Sequence, residues 1–232
     1  MNDKLKTLAR GIADVSPLMI PVFPFGIIYG VIGMELGIGP YMTLGLSIII
    51  FGGASQIVLL QLFSGGASSL VILSSVGAVN SRHLLYGAVL SEYLSTLKLT
   101  WKIILSYVLV DQAFAVSNDY FKKNKNKENK HYHLLGAGFT CWTIWQISTI
   151  LGIILGSVVP EELGLSFTIS LTFLALLIND FRKLKNIIVM MVSGIVATIG
   201  YNTIPFQAYI IVAALSALLA AALLTLINLK KK

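Results

Sequence analysis

The sequence predicts an all-α polytopic membrane protein, a bundle of about eight transmembrane helices, some of them broken. Three observations carry this prediction. The 232-residue chain is 56% hydrophobic and 12% charged, with a mean hydropathy of +0.84, whereas a soluble domain carries about 25% charged residues. Its apolar residues fall in runs of about 17–25, the length that crosses about 30 Å of hydrocarbon. Its charges gather at the ends of those runs. Together these exclude a soluble globular fold and a disordered chain. Helices follow because lipid offers no partner to open backbone groups. The alternating segments of about 10 residues that mark a barrel are absent.

Eight runs have the required character: 17–36, 41–63, 68–94, 100–118, 134–159, 164–181, 186–201 and 205–229. Before the first, Leu5, Leu8, Ala9 and Ile12 recur at helical spacing and predict a short interfacial helix. The first run carries Pro17, Pro21 and Pro24 with no small-residue cleavage site after it, so it reads as a span rather than a leader. Trp101, Trp142 and Trp145 read as an interfacial aromatic belt. Asn179 and Asp180 read as a cap on the sixth run. Pro205 suits the first turn of the last. Cys141, the one cysteine, reads as a buried packing residue. It excludes an intrachain disulfide and a Cys-based zinc site. No metal and no cofactor is expected.

The net charge is +7, and fourteen of the 17 basic residues sit in four short segments. These are Lys4, Lys6 and Arg10; Lys122, Lys123, Lys125, Lys127 and Lys130; Arg182, Lys183 and Lys185; and Lys230 to Lys232. Eight crossings that start inside place all four clusters and both termini on the cytoplasmic face of the cytoplasmic membrane. Glu35, Glu161 and Glu162 then face the other side, with Lys98 and Lys102 as exceptions. The basicity is thus topological, and no nucleic-acid partner is expected.

The stretch from Asp119 to His133 reads as a mobile basic cytoplasmic loop, with His131 and His133 solvated. It divides the chain into 1–118, which holds the polar midplane motifs, the loop 119–133, and 134–232. Each flanking half has four runs. Gly30-Val-Ile-Gly33 ahead of the second run is echoed by Gly152-Ile-Ile-Leu-Gly156 ahead of the sixth. The echo suggests an internal repeat of four plus four spans.

Function is expected where a span departs from lipid-soluble helix. The first departure is Phe51-Gly-Gly-Ala-Ser-Gln56. Its two glycines weaken a helix by about 1 kcal/mol each, and Ser55 and Gln56 put polar groups near the membrane centre. The run reads as a broken or closely approached helix whose freed backbone groups meet a substrate. Small-residue packing alone would not need Gln56.

The second departure is Asn80-Ser-Arg-His-Leu-Leu-Tyr86-Gly87. Arginine at a helix centre costs about 2.5–3.5 kcal/mol on the insertion scale. Helical spacing places Asn80, His83 and Gly87 on one face and Arg82 and Tyr86 on the next. The run is long and is expected to break near Asn80, or else to leave Arg82 in a loop. The third departure is Asp111-Gln-Ala-Phe114. A lone buried carboxylate tends to neutralise, so Asp111 is expected to pair with Arg82 or His83, or to carry a proton.

These motifs, with Phe25-Gly26, Gly53-Ala-Ser-Gln56, the Arg-His-Leu-Leu-Tyr-Gly run and Asp111-x-Ala-Phe114, resemble those of the AzlC family of branched-chain amino acid exporters. The family usually has an acidic residue after the aspartate, where this chain has Gln112. The resemblance implies export of leucine, isoleucine, valine or related residues, coupling to protons, and a small AzlD-type membrane partner.

The resulting expectation is a secondary transporter rather than an enzyme. Gly52, Gly53, Ser55, Gln56, Asn80, Arg82, Tyr86 and Phe114 would bind an aliphatic amino acid. Arg82 and backbone N–H groups would meet its carboxylate. Asn80, Gln56 or Asp111 would meet its ammonium, and Phe51 and Phe114 its tail. His83 and then Asp111 are the candidates for proton coupling. Two rival readings are an intramembrane hydrolase built on a Ser55–His83 dyad and a non-transporting assembly subunit.

Overall fold

The structure, a computed structural model, describes residues 3–124, 128–157, 184–204 and 209–229. The run 164–181, its expected cap and Pro205 lie outside them. Every regular element among the described residues is helical. In chain order these are α1 (Asp3–Val15), α2 (Met19–Glu35), α3 (Pro40–Ile50), α4 (Gly53–Ser64), α5 (Ser69–Leu94), α6 (Leu99–Tyr107), α7 (Asp111–Lys123), α8 (His131–Gly156), α9 (Leu184–Thr203) and α10 (Tyr209–Leu229). A 3-10 turn, Ser16–Leu18, links α1 to α2. Two compact units result. The first is Met1–Ile57 with Val79–Pro160; the second is Val58–Ala78 with Glu161–Lys232.

The first unit is built on α1–α2 lying parallel to α8. Gly136 abuts the Leu8 carbonyl, Gly30 the Thr149 carbonyl, and Gly156 the Val31 backbone. A side chain at any of these positions would collide with backbone, so glycine is what lets the two helices touch. The echoing segments 30–33 and 152–156 therefore meet each other. α1 is helical as expected, but its buried stripe is Thr7, Gly11 and Val15. Leu5 and Ile12 are exposed.

Two of the apolar runs are broken. In 41–63 the helix stops at Ile50, and Phe51 turns the chain with a φ of 24°, a conformation that costs a bulky residue about 1–3 kcal/mol. Gln56, one turn into α4, donates from Nε2 to the Leu46 carbonyl at 3.3 Å, one turn before the end of α3. The chain thus doubles back, and α3 and the start of α4 (53–57) form a hairpin with Phe51-Gly52 at its tip. In 100–118 the break is 108–110. Trp101 of α6 lies against His131 at 4.9 Å and Val108 against Gly138, so α6 runs parallel to α8. Ser117 of α7 comes within 3.1 Å of His133 Nδ1, so α7 runs back. A second hairpin results.

The hairpins approach along α8 from opposite ends. The near end of α8 is the one that starts at His131, and the far end the one that stops at Gly156. α3 comes from the far end, with the Tyr29 hydroxyl donating to the Thr43 carbonyl at 2.8 Å and Gln146 Nε2 to the Ser47 carbonyl at 3.4 Å. α6 comes from the near end. The tips meet where the Tyr107 hydroxyl donates to the Ile48 carbonyl at 2.6 Å and the Phe51 and Tyr107 rings lie 5.9 Å apart.

α5 is one continuous helix of 26 residues, so the break expected near Asn80 does not occur and Arg82 is not in a loop. It runs antiparallel to α8: Asn80 lies beside Gly52, and the Tyr93 ring sits 5.6 Å from Phe121 and 5.1 Å from the Lys130 ammonium. α8 also has 26 residues. A hairpin followed by a 26-residue helix therefore occurs twice, in opposite senses.

Both ends of the stretch 119–133 are helical, since α7 reaches Lys123 and α8 starts at His131. His131 and His133 are 8% and 0% exposed, which corrects the expectation that they are solvated. His133 stacks on Tyr120 at 4.0 Å and bridges Ser117 to Asp14, each at 3.1 Å. In the second unit α9 and α10 are antiparallel, with Ser193 donating to the Ala213 carbonyl at 3.4 Å. Four described segments are long and apolar enough to cross a membrane: Asp3–Glu35, His131–Gly156, Leu184–Tyr201 and Tyr209–Leu226.

Candidate functional site

Asp111 is the first residue of α7, where a helix dipole favours negative charge. Its Oδ2 lies 3.2 Å from Arg82 Nη1, and its Oδ1 accepts from the Tyr86 hydroxyl at 2.7 Å. The Tyr86 ring stacks on Phe114 at 4.3 Å and 12°. One turn of α7 and one turn of α5 thus place a cation, a carboxylate, a phenol and an aromatic wall together. The pair is not sealed, since the Arg82 and Asp111 side chains are 34% and 38% exposed.

The other hairpin tip supplies backbone. A Cβ on Gly52 would lie 2.8 Å from Ser55 Oγ and 2.9 Å from Asn80 Oδ1; one on Gly53 would lie 2.7 Å from the Trp145 ring. Both glycines therefore serve close approach as well as the break. Beyond them the first-turn N–H groups of Gly53, Ala54 and Ser55 have no intrahelical acceptor. Three carbonyls near the end of α3 are held by side chains from three helices: Leu46 by Gln56, Ser47 by Gln146 and Ile48 by Tyr107. Trp142 Nε1 donates to the Tyr107 hydroxyl at 2.9 Å.

That arrangement leaves polar atoms over. Gln56 Oε1, Asn80 Oδ1 and Gln146 Oε1 are buried acceptors without a partner, and Arg82 Nε and Trp145 Nε1 are buried donors without one. Each such atom costs about 1–3 kcal/mol if left so. Buried polar groups are ordinarily satisfied by protein, water or an ion, so these atoms are open to a further partner.

The expected site residues are thus brought together in two adjoining sets, Gly52, Gly53, Ser55, Gln56 and Asn80 at one tip, and Arg82, Tyr86, Asp111 and Phe114 at the other. His83 lies against the Tyr86 ring at 5.9 Å and not against Asp111. Ser55 is fully buried and donates to the Gly52 carbonyl at 2.7 Å. No hydrogen bond joins it to His83 among the described residues, so the dyad of the rival hydrolase reading is not formed. Tyr107, Trp145 and Gln146 were not singled out as site residues. Trp142 and Trp145 sit at the hairpin tips, midway along α8 and not near either of its ends. A tryptophan pair flanked by Gln146 in mid-span was the available signal.

The family described as AzlC protein matches residues 17–159, more than half of the chain. The chain belongs to the AzlC family. The match ends just after α8, so it covers both hairpins and the two 26-residue helices. The chain is 27% identical over 189 residues to "Inner membrane protein YgaZ" of Escherichia coli (strain K12), covering 79% of this chain and 77% of that protein. It is 29% identical over 177 residues to an "Uncharacterized membrane protein" of Archaeoglobus fulgidus, covering 75% of each. It is 22% identical over 188 residues to an "Uncharacterized membrane protein" of Helicobacter pylori (strain 26695), covering 80% and 81%. No solved structure matches. This AzlC chain is accordingly a helical membrane protein.

Proposed function

We propose that this AzlC protein is a secondary transporter that exports aliphatic, branched-chain amino acids across the cytoplasmic membrane, coupled to protons and working with a small AzlD-type membrane subunit. The observation that carries the reading is the set of unpartnered buried atoms at the hairpin tips. An amino-acid zwitterion needs donors for its carboxylate and acceptors for its ammonium. Arg82 Nε, Trp145 Nε1 and the first-turn N–H groups of α4 are the donors. Gln56 Oε1, Asn80 Oδ1 and Gln146 Oε1 are the acceptors. Phe51 and Phe114 are apolar surface for the tail. A partly open Arg82–Asp111 pair at mid-membrane is not tolerated facing lipid and implies a polar chamber.

Asp111 is the first candidate for the coupling proton, because it can exchange Arg82 for a proton; His83 has no direct contact with it. In this reading the hairpins dip from opposite faces and only 17–36, 68–94, 134–159 and the last three runs cross. The near end is cytoplasmic. Lys98 and Lys102 then join the other basic clusters and cease to be exceptions to the positive-inside rule. Both termini stay cytoplasmic.

Counterflow of labelled leucine in proteoliposomes, with and without the partner subunit, tests the function. Leucine accumulation that unlabelled valine or isoleucine competes away, and that is lost in Arg82→Gln, supports it. Absence of any counterflow with the partner present contradicts it.

A further inference from the structure

A cleft between α5, α6 and the start of α8 is not used by the reading above. It encloses about 290 Å³, close to the lower end of small-molecule cavities, about 300 Å³. All its lining residues belong to the first unit. At one end is the Lys102 side chain, near the start of α6. At the other are Gly87, which follows Tyr86, and Leu109 in the tip of the second hairpin. The cleft therefore runs from the near end toward the Arg82–Asp111 pair.

Its chemistry is that of a binding site for a short apolar zwitterion. Leu90 and Leu105 form a buried wall, 1% and 2% exposed. Lys102 has no ion pair among the described residues. Ser91 and Ser106 both line the cleft and spend their protons on their own helices, Ser91 on the Ala88 carbonyl at 2.6 Å and Ser106 on the Lys102 carbonyl at 2.7 Å. A hydroxyl that has donated still accepts, so their oxygens suit an ammonium. A lone ammonium suits a carboxylate, and the leucines suit an aliphatic tail.

We infer that this cleft is a second binding site for an aliphatic α-amino acid, with Lys102 holding its carboxylate. The passage of that ligand along α5 to the hairpin tips rests on the transport reading; its binding in the cleft does not.

Equilibrium binding of radiolabelled leucine to the purified full-length protein tests it without a gradient. Two sites per chain are expected. Lys102→Gln weakens one of them at least tenfold, Lys102→Arg keeps both, and Arg82→Gln leaves the Lys102-dependent site intact. Leucinamide, which lacks the carboxylate, does not displace leucine from that site. A Lys102→Gln curve that superimposes on wild type overturns the inference, as does a wild-type protein that binds no leucine. Dodecanoate displacing the Lys102-dependent leucine at lower concentration than leucine itself would assign the cleft to lipid and overturn it too. Lys102-dependent binding without counterflow in proteoliposomes would sink the transport reading and leave the cleft standing.

Discussion

Arg82 and Asp111 each give the other a charged partner inside an apolar helix bundle. The carboxylate sits at a helix N-terminus, takes a phenol hydroxyl and faces a guanidinium, so removing either partner leaves a charge with too few contacts. Hydrogen bonds to charged groups contribute about 1.5–3 kcal/mol, which is about tenfold or more in a binding constant. Arg82→Gln and Asp111→Asn are each expected to lower leucine counterflow at least tenfold. Asp111→Asn is also expected to flatten the dependence of transport on the proton gradient. Transport by Asp111→Asn that still responds to the gradient would move coupling elsewhere. Tyr107 makes a different kind of contact. Its hydroxyl links the two hairpin tips and accepts from Trp142. Tyr107→Phe is expected to cost about 1 kcal/mol of stability, seen as a lower melting temperature in detergent, with leucine binding retained. An unchanged melting temperature would show that the tips do not depend on this bond.

At the scale of elements the fold depends on where glycine permits contact and where the helix is allowed to stop. Gly30 and Gly152 bring α2 and α8 into backbone contact, and nothing larger fits. Gly30→Val is expected to abolish the monodisperse peak in fluorescence-detected size exclusion, whereas Gly45→Ala, which has open space around it, is expected to leave it unchanged. The glycine pair at 52–53 was legible as a helix weakness, and the structure has its break there. The break at 108–110 was not legible. Val108, Leu109 and Val110 are apolar and give no turn signal, and the chain stops there because Val108 packs on Gly138 and Asp111 starts a new helix against Arg82. The same reason explains His133. A histidine in a Lys- and Asn-rich stretch reads as solvated, and only the approach of α1 and α7 buries it between Asp14 and Ser117.

For the whole molecule, composition was enough to establish a helical membrane bundle, and the midplane polar residues named most of the candidate site. Run length could not distinguish a crossing helix from a hairpin, since both need about the same number of apolar residues. That distinction determines which face each loop occupies. Doubling back at Phe51-Gly52 lets α5 end, and α6 begin, at the end from which α8 starts; doubling back at 108–110 returns α7 there, which puts the α5–α6 turn on the side of Lys122. Sided cysteine labelling reads this directly. In a Cys141→Ala background, Thr96→Cys, Lys122→Cys and Tyr41→Cys would each be treated with a membrane-impermeant maleimide in right-side-out and inverted vesicles. Thr96→Cys and Lys122→Cys are expected to label from one face and Tyr41→Cys from the other. Labelling of Thr96→Cys from the face opposite Lys122→Cys would mean that 100–118 crosses the membrane, and the opposed hairpins that form the site would not exist.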